Sequence, residues 1–301
     1  MEASVPTINL SSNQVQGHLR VQVVVPLIKE LQIPQKRSSL ALPLSERSLY
    51  KDLLSPKKVS EHLGRNSTYQ LQENVITKIR NEIEYLKNSI PCTYNSAIFA
   101  RINANDIADM QFLVTGRTNS PFASGLFLLK SRVPPFYPSD PPKMTLKTMS
   151  NKVKFNSMIC KSGKVSESFF NEGKWNPNSG SISDLVVTIQ KHLLSEFKNS
   201  NSVVVAYATV KFGMTEMLKA PPEPFAEVVK THFALKKRDI LVGLNEWLEG
   251  TNLELPENEI KSTLQHNIWV AKDFFRTGIR GAFQEAILEL KQLLEGLSPI
   301  N

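Results

Sequence analysis

Gly163-Lys164-Val165 delivers a hydroxyl at Ser166, and Trp175-Asn176-Pro177 follows within eleven residues. A side-chain nucleophile displayed on such a turn suits acyl transfer, but a hydroxyl needs a neighbouring base to attack at neutral pH. No base is evident beside Ser166: no histidine is near it in the sequence, and Glu167 and Ser168 follow it. Cys160, six residues earlier, carries the better nucleophile, with Lys161 as the adjacent group that could lower its pKa. The other cysteine, Cys92, is remote in sequence, so two thiols make no disulfide framework. No Cys or His pair has metal-ligand spacing, and neither a metal nor a cofactor is expected.

The elements that position this stretch come on both sides of it. Val75, Ile76, Ile79, Ile83 and Leu86 recur at helical steps between Lys78, Arg80, Glu82 and Lys87, which predicts an amphipathic helix ending before Pro91. Segments 97–102, 110–116, 125–131 and 143–148 have strand composition and short, turn-rich connections, so an antiparallel meander follows the helix. Residues 132–142, RVPPFYPSDPP, hold five prolines in eleven positions. No helix or central strand tolerates that density, and a rigid loop anchored on the core by Phe136 and Tyr137 is expected. Helical periodicity returns over 182–194, with Ser181 or Ser183 available as a cap. From 202 to the end the pattern is helical, with breaks at Pro221-Pro222 and Gly250.

Four regions result: a largely disordered polar segment at 1–70, a mixed core at 71–200, a helical extension at 201–250 and a C-terminal amphipathic helix at 257–297. Within the first, Arg20–Ile28 has strand character, and 45–63 has the makings of short helical turns. Along 257–297 the stripe Ile268, Ala271, Phe275, Ile279, Ala282, Ala286, Leu290 and Leu293 reads as a face packed on the chain's own domain or, if uncovered, as a partner face.

The chain has 301 residues, 41% hydrophobic and 21% charged, which suits a water-soluble globular protein. Its apolar runs fall far short of the roughly 20 residues of a membrane span. The N-terminus lacks a basic patch followed by an apolar stretch, so an intracellular protein, cytoplasmic or nuclear, is expected. Net charge is +8. Lys and Arg are scattered along the chain without interleaved aromatics, so no nucleic acid partner is expected.

Taken in order, the leading helix, FLVTGRTNSPFASGLFLLK, the YPSDPP loop, the Gly-Lys-Val turn, Trp-Asn-Pro and the next helix resemble the ubiquitin-conjugating enzyme core. Within that family the chain looks like the conjugating regions of giant inhibitor-of-apoptosis proteins, over roughly residues 73–250. The resemblance implies an α+β fold: helix, antiparallel strand meander, helix, with an all-helical C-terminal extension. Phe122, Phe127, Tyr137, Pro138, Pro141, Pro142, Gly163, Trp175 and Pro177 match the family's scaffold.

The family's activity, as the resemblance implies it, needs a cysteine directly after the Gly-Lys-Val turn to carry ubiquitin as a thioester. Ser166 stands there. The family also places an asparagine eight residues before that cysteine to support the oxyanion. Here the matching residue is Met158, in Asn156-Ser157-Met158, and a thioether donates no hydrogen bond. Two departures on one scaffold imply a catalytically inactive variant that binds ubiquitin, a genuine conjugating enzyme or a ligase. Two alternatives are carried alongside. One is an active enzyme with a displaced nucleophile, Cys160 or Ser166, and with Asn156 in the amide's role. The other is a structural adaptor working through its C-terminal helices without ubiquitin. By the same resemblance Lys78, Arg80, Phe122 and Pro138 would lie at surfaces that receive partners.

Overall fold

The computed structural model describes residues 44–67, 69–149, 152–153, 158–170, 175–194, 202–250 and 268–298. The strand expected at Arg20–Ile28, like the rest of 1–43, lies outside the described residues, as do Asn156 and 257–267.

Helix α2 (Glu73–Ser89) leads the core and buries Val75, Ile79 and Leu86, three of the five predicted apolar positions. The fourth place on its buried stripe goes to Glu82. After it come β2 (Cys92–Thr93), β3 (Ser96–Asn103), β4 (Asp109–Thr115), β5 (Leu126–Arg132) and β6 (Lys143–Leu146). From β3 to β6 each strand pairs antiparallel with the next, because the connections are too short to cross over. The register puts Ile98, Val114 and Phe127 in one row and Ala100, Phe112 and Leu129 in the next, all of them buried, and α4 (Ile182–Leu193) packs against β4. Ser181 caps α4, its hydroxyl accepting from the Asp184 amide at 3.1 Å.

The folded unit starts earlier than the boundary at 71. Helix α1 (Leu44–Leu54) and strand β1 (Val59–His62) precede it, and β1 joins the sheet parallel to β3, with Val59 opposite Ala100 and His62 opposite Asn103. Tyr50 and Leu54 are fully buried. Helical turns were expected at 45–63; their docking was not, because Tyr50 and Leu54, one turn apart, meet partners far along the chain. The Tyr50 hydroxyl donates to His232 Nδ1 at 2.7 Å, while Nε2 donates to the Ser124 carbonyl at 3.2 Å. With both nitrogens so engaged the imidazole is neutral, and burial pushes its pKa down to about 3. Arg101 ties the same edge together: its guanidinium donates to the carbonyls of Pro224 and Lys57 and lies over the Phe225 ring, 4.8 Å from its centre.

The described residues of the C-terminal third are largely helical, with one π stretch. Helix α5 (Ser202–Ala208) runs through π-helical Thr209–Thr215 into α6 (Glu216–Lys219), and α7 (Ala226–Gly250) follows. Helix α8 (Ile268–Glu295) is broken at Gly278, whose φ of 71° a side chain would resist. Beyond that break the expected stripe holds: Ala282, Ala286 and Leu290 are buried, beside Phe283, Ile287 and Leu294. Before it the phase differs, with Phe274 buried and Phe275 77% exposed; Phe274 and Phe283 lie edge-on to Tyr207.

Candidate functional site

Residues 158–166 form a hairpin tight enough to be set by backbone alone. Ile159 pairs with Val165, the Cys160 amide donates to the Lys164 carbonyl at 2.8 Å, and the Ser166 amide donates to the Met158 carbonyl at 2.7 Å. The turn closes through the Gly163 amide to the Cys160 carbonyl, with Gly163 at φ 85°. That positive φ is why glycine precedes Lys164. The second limb is zipped to β6, Val165 donating to the Met144 carbonyl and Leu146 to that of Gly163.

Ser166 and Met158 are therefore backbone neighbours at the base of the hairpin. The Ser166 hydroxyl accepts from the Ser168 amide at 3.3 Å, capping the single helical turn α3 (Glu167–Phe169), and shares a 2.8 Å hydrogen bond with the Ser168 hydroxyl. Ser168 in turn donates to the Met158 sulfur at 3.4 Å. Among the described residues no imidazole or carboxylate bonds the Ser166 hydroxyl, so nothing there takes its proton. Cys160 is exposed at the turn, paired with Lys164, two residues along the limb from Met158.

The loop beside the hairpin is held by side chains. The Tyr137 hydroxyl donates to Glu82 Oε1, and the other oxygen, Oε2, accepts from the Ile182 amide at 2.8 Å. One buried carboxylate thus joins α2, the proline-rich loop and the first residue of α4. Lys78 adds its ammonium 3.3 Å from Glu82 Oε1 and 5.6 Å from the centre of the Tyr137 ring. Desolvation first, and the Glu82 carboxylate second, raise the Tyr137 pKa, so its phenol stays a donor. The Trp175 ring lies 5.8 Å from that of Tyr137, and its Nε1–H donates to the Pro138 carbonyl at 3.1 Å. Pro142 is buried where β6 begins, Pro141 is half-buried, and Pro177 is exposed.

Two expectations on this region change. Phe122 is fully buried, edge-on to Phe127, and so presents nothing to a partner. Phe136, expected as an anchor, is 71% exposed. The loop closes as successive turns, Tyr137 to Pro134 and Asp140 to Phe136, and in so tight a path adjacent rings cannot both point inward. Lys78 spends its charge on Glu82, and Arg80 is exposed with a loose ion pair to Glu73 at 3.6 Å. Glu82 is the residue that sequence reasoning missed: it occupies a helical position between apolar residues that looks like an ordinary solvated charge.

Residues 78–220 match the model of the family described as ubiquitin-conjugating enzyme. The dual E2 ubiquitin-conjugating enzyme/E3 ubiquitin-protein ligase BIRC6 of Homo sapiens is 27% identical over 217 residues, covering 63% of this chain and 4% of that protein. The probable ubiquitin-conjugating enzyme protein 17 of Caenorhabditis elegans is 25% identical over 238 residues, covering 70% of this chain and 32% of its own length. A solved ubiquitin-conjugating enzyme E2 from Plasmodium falciparum aligns at 22% identity and a TM-score of 0.36, over 47% of this chain and all of its own. The chain thus spans a small part of each of these two curated relatives. Among the described residues no group of three or more metal-ligating side chains occurs, and no helix is long and apolar enough to cross a membrane.

Proposed function

Through residues 78–220 the chain belongs to the ubiquitin-conjugating enzyme family, and from that premise we propose that it is a catalytically silent member, acting by contact with proteins of the ubiquitin system. Its relatives are named as conjugating enzymes. The observation that carries the proposal is the pairing of Ser166 with Met158: the two positions where the family's chemistry requires a thiol and an amide hold a hydroxyl and a thioether, joined by a 2.7 Å backbone hydrogen bond. A hydroxyl without a base, beside a sulfur that accepts but cannot donate, neither attacks ubiquitin's C-terminal carbonyl nor stabilises the oxyanion that would form. The surrounding scaffold is kept, with Glu82, Tyr137 and Trp175 tied together. Partners of this module are proteins: ubiquitin, a working conjugating enzyme or a ligase.

The deciding experiment is a charging assay with ubiquitin, activating enzyme and ATP, beside an active conjugating enzyme, read on gels with and without thiol and after alkali. No adduct is the expected result. A thiol-labile adduct makes Cys160 or Cys92 a working nucleophile, and an alkali-labile, thiol-resistant one assigns the work to Ser166; either overturns the proposal.

A further inference from the structure

The outward face of the sheet divides into two halves of different chemistry. Along β3 it is covered, with Arg101 buried under Pro224 and Phe225. Along β5, β6 and the second limb of the hairpin it is open and basic. Residues 127, 129 and 131 of β5, and 144 and 146 of β6, are buried towards the core, so 130, 132, 143, 145 and 147 point the other way. Register fixes their neighbours: Lys130 is opposite Thr145, Thr145 is bridged to Lys164, and Lys143 is opposite Arg132. Lys130, Lys143, Lys147 and Lys164 are all exposed. Strands lie about 4.8 Å apart and alternate residues about 6.7 Å apart, so four ammonium groups gather around one threonine.

Among the described residues none of the four has an ion pair or side-chain hydrogen bond, whereas Arg132 on the same face is bonded to Asp106. Like charges on neighbouring strands oppose folding. Interleaved carboxylates would relieve that repulsion, yet the acidic residue on this part of the face, Asp109, sits opposite Arg132. The face keeps an uncompensated field, and its complement is an anion.

We propose that this lysine face docks an acidic polypeptide segment, rich in Asp and Glu and lying extended across β5, β6 and the hairpin limb. Charge complementarity identifies the occupant, and side-chain type narrows it. Lysine ammonium groups meet carboxylates as point charges, whereas nucleic acid recognition draws on guanidinium forks and stacking rings. The ring that meets this face, Tyr69, is taken up by Arg132, whose guanidinium lies 4.5 Å from the ring centre, and that arginine is itself spent on Asp106. Proximity adds a consequence: Lys164 lies two residues from Ser166, so an acidic partner held here runs past the base of the hairpin. The proposal goes beyond the silent-module reading and is independent of the charging result.

The test is fluorescence anisotropy of a labelled decaglutamate peptide with the full chain at two salt concentrations, together with amide shifts on the same titration. Binding that weakens with salt is expected, with shifts gathered at β6 and Gly163–Val165. Lys143→Glu with Lys147→Glu should weaken binding about tenfold, while Lys230→Glu with Lys272→Glu, the same change of charge on α7 and α8, leaves it unchanged. The thermal midpoint of the first pair should hold or rise, because repulsion is removed. No binding, equal loss in both pairs, or shifts spread over the whole surface would overturn the proposal. So would a uridine decamer binding more tightly through the same lysines, which would make the face a nucleic-acid surface.

Discussion

The Met158–Ser166 hairpin and the Glu82–Tyr137–Trp175 brace stand beside one another, yet they are held by different means. The hairpin is closed by backbone hydrogen bonds, which any residue can supply. The brace is closed by a phenol, an indole and a buried carboxylate, each reaching a partner 37 to 100 residues away. A backbone-held element can exchange its reactive side chains and keep its shape. A side-chain-held one loses its shape with its residues, so the proposed exchange of a thiol and an amide at the hairpin would leave the brace in place.

Tyr137→Ala should break the brace most severely. It empties a fully enclosed ring site and strips Glu82 of a donor, so a loss of about 3–5 kcal/mol is expected in urea denaturation; a loss below about 1 kcal/mol would show that the brace is dispensable. The clasp of α1 is held by side chains in the same way and should be revealed by pH. His232 is held neutral in the fold, its pKa pushed down from 6.5 to about 3 by burial. Unfolding lets it take a proton below pH 6.5, so its contribution is complete above that pH and is lost as pH falls towards the folded value. The slope is about 1.4 kcal/mol per pH unit. His232→Gln should flatten the stability profile between pH 6.5 and 4.5 relative to the parent chain, and parallel profiles would refute the assignment.

Smaller effects are expected in the hairpin. Gly163→Ala forces a side chain into the left-handed region and should destabilise by about 1–2 kcal/mol, measurable as a lower thermal midpoint. An unchanged midpoint would mean that the turn relaxes. Smallest of all is Ser166→Cys with Met158→Asn, which leaves every backbone–backbone bond in place but removes the Ser166 cap of α3, and should cost about 0.5–1 kcal/mol. On that intact frame a thiol-labile ubiquitin adduct should appear where the parent chain forms none. Failure of the double variant to charge while it stays fully folded would show that more than two side chains separate this copy from an active one.

Much of the frame was legible from local signals. Strand alternation, proline density, the Ser181 cap and the glycine of the hairpin are consequences of backbone sterics and of groups a few residues apart, and these place β3 to β6, α2 and α4 close to where they stand. The ordered motifs carried the family, and the proposed reading of Ser166 and Met158 rests on that resemblance. Hidden from that reading were the burial of Glu82, the parallel pairing of β1, the docking of Tyr50 on His232 and the exposure of Phe136. Each turns on a partner remote in sequence: Tyr50 meets a side chain 182 residues on, and Glu82 meets the Ile182 amide 100 residues on. The sequence by itself determined which segments become helix, strand or turn and which chemical groups stand at the turn, because those choices follow from each residue's own sterics and its near neighbours. Only the tertiary structure decided which charge is buried, which ring is covered and which lysines are left facing water without a partner, because those outcomes depend on what packs across the chain.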